Sequence, residues 1–338
     1  MKKYLLPEAG CFYKANLHCH TNVSDGTLSP AEVKSLYRSL GYSVVAFTDH
    51  NIMVPHDDLN DESFLALHGY EIDITESGKD WIHSKCCHIC LIPLKKDNLK
   101  HSCWNPDHVW GNARKYITDE MKGELNTGYQ RVYSWEGIND LIRRAKDDGY
   151  FVVYNHPSWS KEYYPDYIGY QGMHAFEIMN GLSIKDGYED YNPRVYDDYL
   201  SQGRRLYCIG ADDNHNRHPA GDPHDESGAA FTVIKAESLE YETITKALLD
   251  GAFYASEGPE IHDLYVEDGQ VHIRTSPVVS IAIDFEARAN WAVHARPGEY
   301  MTTASFRIEP EKGWFRITLR DSSGMHACTN AYFPGEVR

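Results

Sequence analysis

Apolar residues recur along this chain in two rhythms, and their alternation predicts the elements. Ala15–His18 reads as a short strand. Ser29 then stands as an N-cap, with Pro30 at the first helical position and Glu32 closing a capping box. Val33, Leu36, Tyr37 and Leu40 follow at helical spacing until Gly41 stops the helix. Residues 43–48 form a near-continuous apolar run, as in a buried parallel strand. The same grammar returns with a helix over 138–148 closed by Gly149, then strands over 150–154 and 175–179. A helix opens at Asn192-Pro193 and ends at Gly203. Strands at 206–209 and 231–234 and a helix over 238–250 complete the series. Strands alternating with helices predict an α/β barrel or a doubly wound sheet.

After about Tyr254 the helical spacing disappears. Short runs at 264–266, 271–273, 278–283, 305–308 and 314–318 read as strands, which predicts a small antiparallel β-domain over 257–338 behind a first domain over 1–256. Residues 95–134 are polar and irregular. A segment of that length inside a compact domain is usually functional or mobile. Its Trp104 and Trp110, with Trp135 beside it, are candidates for a lid or a base-stacking wall, or for plain core packing. No internal repeat is present.

The chain has 338 residues, enough for two domains at roughly 150 residues each. Lys and Arg number 33 against 50 Asp and Glu, a formal charge of −17. That balance opposes binding to nucleic acid or to an anionic membrane surface. No stretch of about 18 apolar residues is present to cross a bilayer. The amino-terminal residues lack the apolar core of a signal peptide, so a cytoplasmic protein with its eight cysteines reduced is expected.

Histidine is the outlier, with 18 residues, several beside acidic residues at predicted strand ends. His18 and His20 flank Cys19, and in extended chain residues i and i+2 point the same way, so both imidazoles can reach one ion. Asp25 follows in a Ser-Asp-Gly turn. Asp49-His50 ends the second strand, and Glu71, His88, His156, Asp213 and His215 each lie where a strand gives way to a loop. Any one of these is weak evidence. Together they are six histidines and three carboxylates at strand ends, where active sites of α/β barrels assemble.

The run H-C-H-T-N-V-S-D-G-T-L-S-P, followed by F-T-D-H-N, G-Y-E, H-I-C-L, N-H-P and D-D-N-H, resembles the polymerase-and-histidinol-phosphatase (PHP) family of metal-dependent phosphoesterases over about residues 12–255. The resemblance implies a distorted (β/α)7 barrel holding two to three divalent ions. His18, His20, Glu71 and Asp213 would hold the first. Glu71 would bridge to a second completed by His88 and His156, and Asp25, His50 and His215 would hold the third. The ligand types suit Zn, Mn or Fe. The continuation from Gly251 to Pro259 resembles a branch with a C-terminal β-extension, which includes carbaryl-hydrolase-like proteins. Glu71 and His88 are further apart than in compact members, which makes His83 a rival for the role of His88.

The expected catalytic group is a metal-bound water acidified toward neutral pH. Asp49 and Glu177 are candidates to orient imidazoles or face substrate, and Arg131 and Arg217 to bind a phosphate. The reading expected is hydrolysis of a small, anionic, phosphorylated metabolite. Its rivals are a metallohydrolase of carboxylic or carbamate esters or amides, a non-catalytic metal-binding module, and histidinol phosphatase itself. Exposed strand edges leave a homo-oligomer open.

Overall fold

The computed structural model describes residues 2–124, 128–288, 290–335 and 337, so residues 125–127 of the irregular 95–134 segment lie outside it. The helix after Ser29 runs Pro30–Ser39 with its capping box formed, Ser29 and Glu32 satisfying each other's backbone N–H groups. Val33 and Tyr37 face inward from it. Trp135–Asp147, Pro193–Ser201 and Tyr241–Leu249 are the other long helices, each burying one apolar face.

The strands form three sheets. The largest has nine strands, ordered edge to edge as Trp291–His294, Ser280–Phe285, Phe315–Arg320, His326–Thr329, Phe253–Ser256, Phe231–Ala236, Cys11–Asn16, Val44–Ala46 and Leu65–Leu67. The second has five, in the order Tyr70–Thr75, Cys86–Pro93, Tyr150–Tyr154, Ala175–Asn180 and Tyr207–Ala211. The third pairs Lys3–Tyr4 with Ile261–Glu267, Gln270–Val278 and Met301–Arg307, all antiparallel.

The expected closed (β/α)7 barrel is not what forms. The architecture is mixed α/β with open sheets. Leu65–Leu67 and Tyr70–Thr75 belong to different sheets, and an isolated bridge between His50 and Glu71 lies beside that seam. Tyr207–Ala211 and Phe231–Ala236 also belong to different sheets. There the Thr232 hydroxyl accepts from the Gly210 N–H at 3.2 Å and donates to the Gly210 carbonyl at 2.8 Å. A Cβ on Gly210 would stand 2.8 Å from the Phe231 carbonyl oxygen, so only glycine permits that approach. The boundary expected at 256/257 falls between Phe253–Ser256 and Ile261–Glu267, yet the nine-stranded sheet runs straight across it. A single apolar cluster likewise joins Tyr37, Phe47 and Phe64 to Ile281, Ile317 and Leu319.

The 95–134 segment is largely short 3₁₀ turns and one short helix, Asp119–Glu124. Trp104, Val109 and Ala113 from it pack on Val23 and Ile52 as a small separate core. The Trp104 indole N–H donates to the Asn51 carbonyl at 2.9 Å, which anchors the segment beside His50. No helix among the described residues is long and apolar enough to cross a membrane.

Candidate metal centre

The site is built on Asn16, the last residue of its strand. Its side-chain carbonyl accepts from the His18 and Asp212 N–H groups, and its amide donates to Asn214 at 2.8 Å. One buried amide therefore ties residues 18–20 to residues 212–215. Backbone bonds from His20 N–H to the Asn214 carbonyl and from Asp213 N–H to the His18 carbonyl, both 3.0 Å, zip the two segments together. Asp213 adopts φ +54°, in the left-handed region. Asp212 and Asp213 consequently serve different surroundings. Asp212 accepts from Tyr37, Tyr42 and the Gly228 and Ala230 N–H groups, and burial pushes its carboxyl up to about 7. Asp213 enters the histidine cluster.

Glu71 lies at the centre of that cluster. Its Oε1 is 3.2 Å from His18 Nε2, 3.0 Å from His88 Nδ1 and 3.3 Å from His156 Nε2. Its Oε2 is 3.4 Å from His20 Nε2 and 3.2 Å from His50 Nδ1. Asp213 Oδ1 is 3.2 Å from His18 Nε2 and 3.0 Å from His20 Nε2, while the two Nε2 atoms are themselves 3.1 Å apart. Beside them Asp25 Oδ2 is 3.2 Å from His215 Nε2, and Asp25 Oδ1 is 3.9 Å from His50 Nε2. These nine residues thus converge in overlapping groups of potential ligand atoms, among them His18–His20–Asp213, Glu71–His88–His156 and His20–Asp25–His50–His215.

The geometry suits metal ligation better than hydrogen bonding. Asp213 Oδ1, His20 Nδ1 and His50 Nδ1 are buried and make no aligned hydrogen bond despite their close neighbours. Ligand atoms ~2.1 Å from one ion stand about 3.0–3.4 Å from each other, the spacing found here. Charge points the same way. Burial opposes ionisation of Glu71, yet His88, His18 and His50 hold it well below the usual carboxylate range. Asp213, also opposed by burial, is held low by His18, His20 and His156, and Asp25 by His215, His20 and His50. Burial and the neighbouring His20 push His50 down to about 3. Ionised carboxylates beside a neutral imidazole leave buried negative charge that cations would offset.

The outward ring nitrogens are held by protein. His18 Nδ1 meets Glu177 Oε1 at 3.1 Å, His156 Nδ1 meets Ser160 Oγ at 3.3 Å, and His215 Nδ1 meets the Asp213 carbonyl at 3.0 Å. Such partners set the tautomer and ring orientation of a ligand imidazole.

No protein-family model matches the chain, and no curated protein matches it. The solved structures it is similar to include PHP-like metal-dependent phosphoesterases. One is a two-domain protein from Bacteroides vulgatus containing a predicted PHP-like metal-dependent phosphoesterase, at 15% identity and TM-score 0.45, covering 98% of this chain and 90% of that one. Another is a candidate metal-dependent phosphoesterase from Bifidobacterium adolescentis, at 17% identity and TM-score 0.38, covering 64% and 91%. A third is an amidohydrolase from Chromobacterium violaceum with bound sulfate and no metal, at 16% identity and TM-score 0.37, covering 62% and 89%.

Of the two rivals beside Glu71, the fold brings in His88 and leaves His83 exposed on a turn against Asp80. Glu177 is fully buried and also accepts from the His156 N–H and from Asn180. Asp49 corrects the expectation that it orients an imidazole. Its carboxylate accepts from the Thr21 and Ser24 N–H groups and both their hydroxyls, so it shapes the loop between His20 and Asp25 instead. Arg217 is exposed and donates to Asp25 Oδ2 at 3.0 Å, at the edge of the cluster. Arg131 is buried, its Nη1 donating to Asn51 at 2.6 Å and to the Asp73 carbonyl at 2.9 Å. Its Nε and Nη2 are enclosed without a partner.

Trp104 proves to be core, Trp135 donates to the Asp166 carbonyl away from the cluster, and Trp110 covers His50 with ring centroids 4.8 Å apart. Trp159 was not legible as a site residue. Its ring lies 5.3 Å from His88 and 5.2 Å from His156. The one available signal was its position three residues beyond His156.

Proposed function

We propose that this chain is a metal-dependent phosphoesterase acting on a small phosphorylated metabolite, with His18, His20, Glu71 and Asp213 as ligands of one ion, Glu71, His88 and His156 of a second, and Asp25, His50 and His215 of a third. One observation carries the reading. The two oxygens of buried Glu71 face imidazole nitrogens from opposite halves of the cluster, as a bridging carboxylate requires. Zn, Mn or Fe would suit this donor set.

Divalent ions held there would supply Lewis acidity, making water a stronger nucleophile and offsetting charge on a reacting phosphoryl group. The chain's own part is positioning. Glu177 and Ser160 hold the imidazoles of His18 and His156 in one orientation, so no reorganisation accompanies reaction. Asp49 fixes the loop that delivers Asp25. Arg217 places a guanidinium beside Asp25, where it can meet the free oxygens of a phosphate. That cation at the rim favours a phosphoryl substrate over a neutral carboxylic or carbamate ester. Arg131, enclosed against Asn51 and Asp73, serves a phosphate only if that pairing opens.

The test is elemental analysis of protein purified without added metal, with the same preparations assayed on p-nitrophenyl phosphate and p-nitrophenyl acetate. A His20→Ala, Asp213→Ala double variant controls for contaminants. Two or three ions per chain and phosphatase activity lost in the variant are expected. Bound metal with esterase activity alone would replace this reading by the carboxylic-ester one. Neither metal nor turnover after adding Mn or Zn would overturn both.

A further inference from the structure

Two tryptophans border the cluster on different sides. Trp110 leans on His50 at an interplanar angle of 40° and is 36% exposed. Trp159 sits edge-on to His156 and tilted against His88, and is half-buried. His50 and His88 are themselves neighbours, with centroids 5.6 Å apart, so the indoles flank one opening. Each is mounted on pinned backbone. Trp110 follows Val109, part of the small core with Trp104, and Arg114 Nε donates to the Val109 carbonyl at 2.8 Å. The Ser158 and Trp159 N–H groups both donate to buried Asp190 at 3.0 Å. Trp104, Trp135 and Trp291 give their indole N–H to protein oxygens. For Trp110 and Trp159 no protein acceptor stands within reach among the described residues. Their partly exposed rings and N–H groups face the space where a substrate's non-reacting portion must lie.

We propose that Trp110 and Trp159 are specificity-determining walls, and that the substrate is a small ester whose alcohol portion carries an aromatic or heteroaromatic ring held between or against the two indoles. This rests on the hydrolase reading above and narrows its substrate class. Indole offers a large rigid face at low entropic cost, and a flat ring stacks on it independently of the charge chemistry at the metals. The net charge of −17 argues that the ring belongs to a small molecule and not to a nucleic-acid strand.

Non-hydrolysable acids test this without turnover. Binding of phenylphosphonate and methylphosphonate to the metal-loaded protein is measured by calorimetry, with benzoate and acetate as a second pair. The phenyl compound is expected to bind about tenfold more tightly than the methyl one, on the scale of a single aromatic stack. Trp110→Ala and Trp159→Ala should each cut that ratio to about threefold or less while keeping their metal, and Trp110→Phe should retain most of it. A wild-type ratio near one, or a ratio unchanged in both alanine variants, overturns the proposal. Loss of metal in the alanine and phenylalanine variants alike also overturns it, because the indoles would then only pack the ligand imidazoles. If neither phosphonate binds but benzoate exceeds acetate in a tryptophan-dependent way, the phosphoryl reading fails and the aromatic walls stand.

Discussion

Glu162 offers a clean test of the electrostatics behind His156. Its carboxylate is buried and accepts hydroxyl hydrogen bonds from Tyr133 at 2.9 Å, Tyr154 at 2.7 Å and Tyr170. Burial raises its carboxyl from 4.5 to about 7, with nearby Asp166 adding to the rise and the three hydroxyls opposing it. Cys87, the remaining titratable neighbour, has its own thiol pushed up by burial. Because the folded value lies above the unfolded one, the folded chain holds this proton more tightly. Below pH 4.5 Glu162 is neutral in both states and contributes nothing. Between 4.5 and 7 the unfolded chain releases the proton first, and stability falls by about 1.4 kcal/mol per pH unit. Above 7 the loss levels off at about 3 kcal/mol, a large share of a typical domain's 5–15. Glu162→Gln removes the titration. Urea unfolding of wild type and variant between pH 4.5 and 8 should show the variant gaining about 3 kcal/mol relative to wild type across that window. Taking the difference cancels every other titration, including those of the metal ligands. A difference that stays flat with pH refutes the reasoning, since it would mean the three hydroxyls outweigh burial and keep Glu162 ionised throughout.

Glu177→Gln should leave the fold intact yet lower metal affinity about 10–100-fold, read by competition with a chelator, because His18 Nδ1 loses its carboxylate. Arg217→Ala should raise KM for a phosphate ester about tenfold or less with little change in kcat, solvent screening limiting the effect of so exposed a cation. Trp104→Ala should cost about 3–5 kcal/mol and expose residues 95–124 to limited proteolysis, because the fully buried indole holds that segment onto Val23, Ile52 and the Asn51 carbonyl.

Much of the local structure was legible. The Ser29–Glu32 capping box, the helix after Ser134 and the run of C-terminal strands depend on side chains only a few residues apart, so spacing alone exposes them. The closed barrel was not a safe expectation. Hydrogen bonding across Leu65–Leu67 and Tyr70–Thr75, or across Tyr207–Ala211 and Phe231–Ala236, depends on how whole sheets twist, which no short window records. A domain boundary near residue 256 was suggested by the change of rhythm, but periodicity cannot say that the strand at 326–329 pairs with the one at 253–256.

The ligand chemistry is inherent in the sequence. Six imidazoles and three carboxylates stand at strand ends in an order that resembles one family, and residue type settles which metals they suit. Only the tertiary structure decides which of these side chains meet. Asn16 joins segments 196 residues apart through one buried amide, and the left-handed backbone at Asp213 turns one of two adjacent aspartates inward. Asp49 is drawn to the Thr21–Ser24 loop, Arg131 is sealed against Asp73, and Trp159 is brought onto His88. Residue identity and local spacing act over a few bonds. Convergence at a centre depends on long-range packing, where distance in space is independent of distance along the chain.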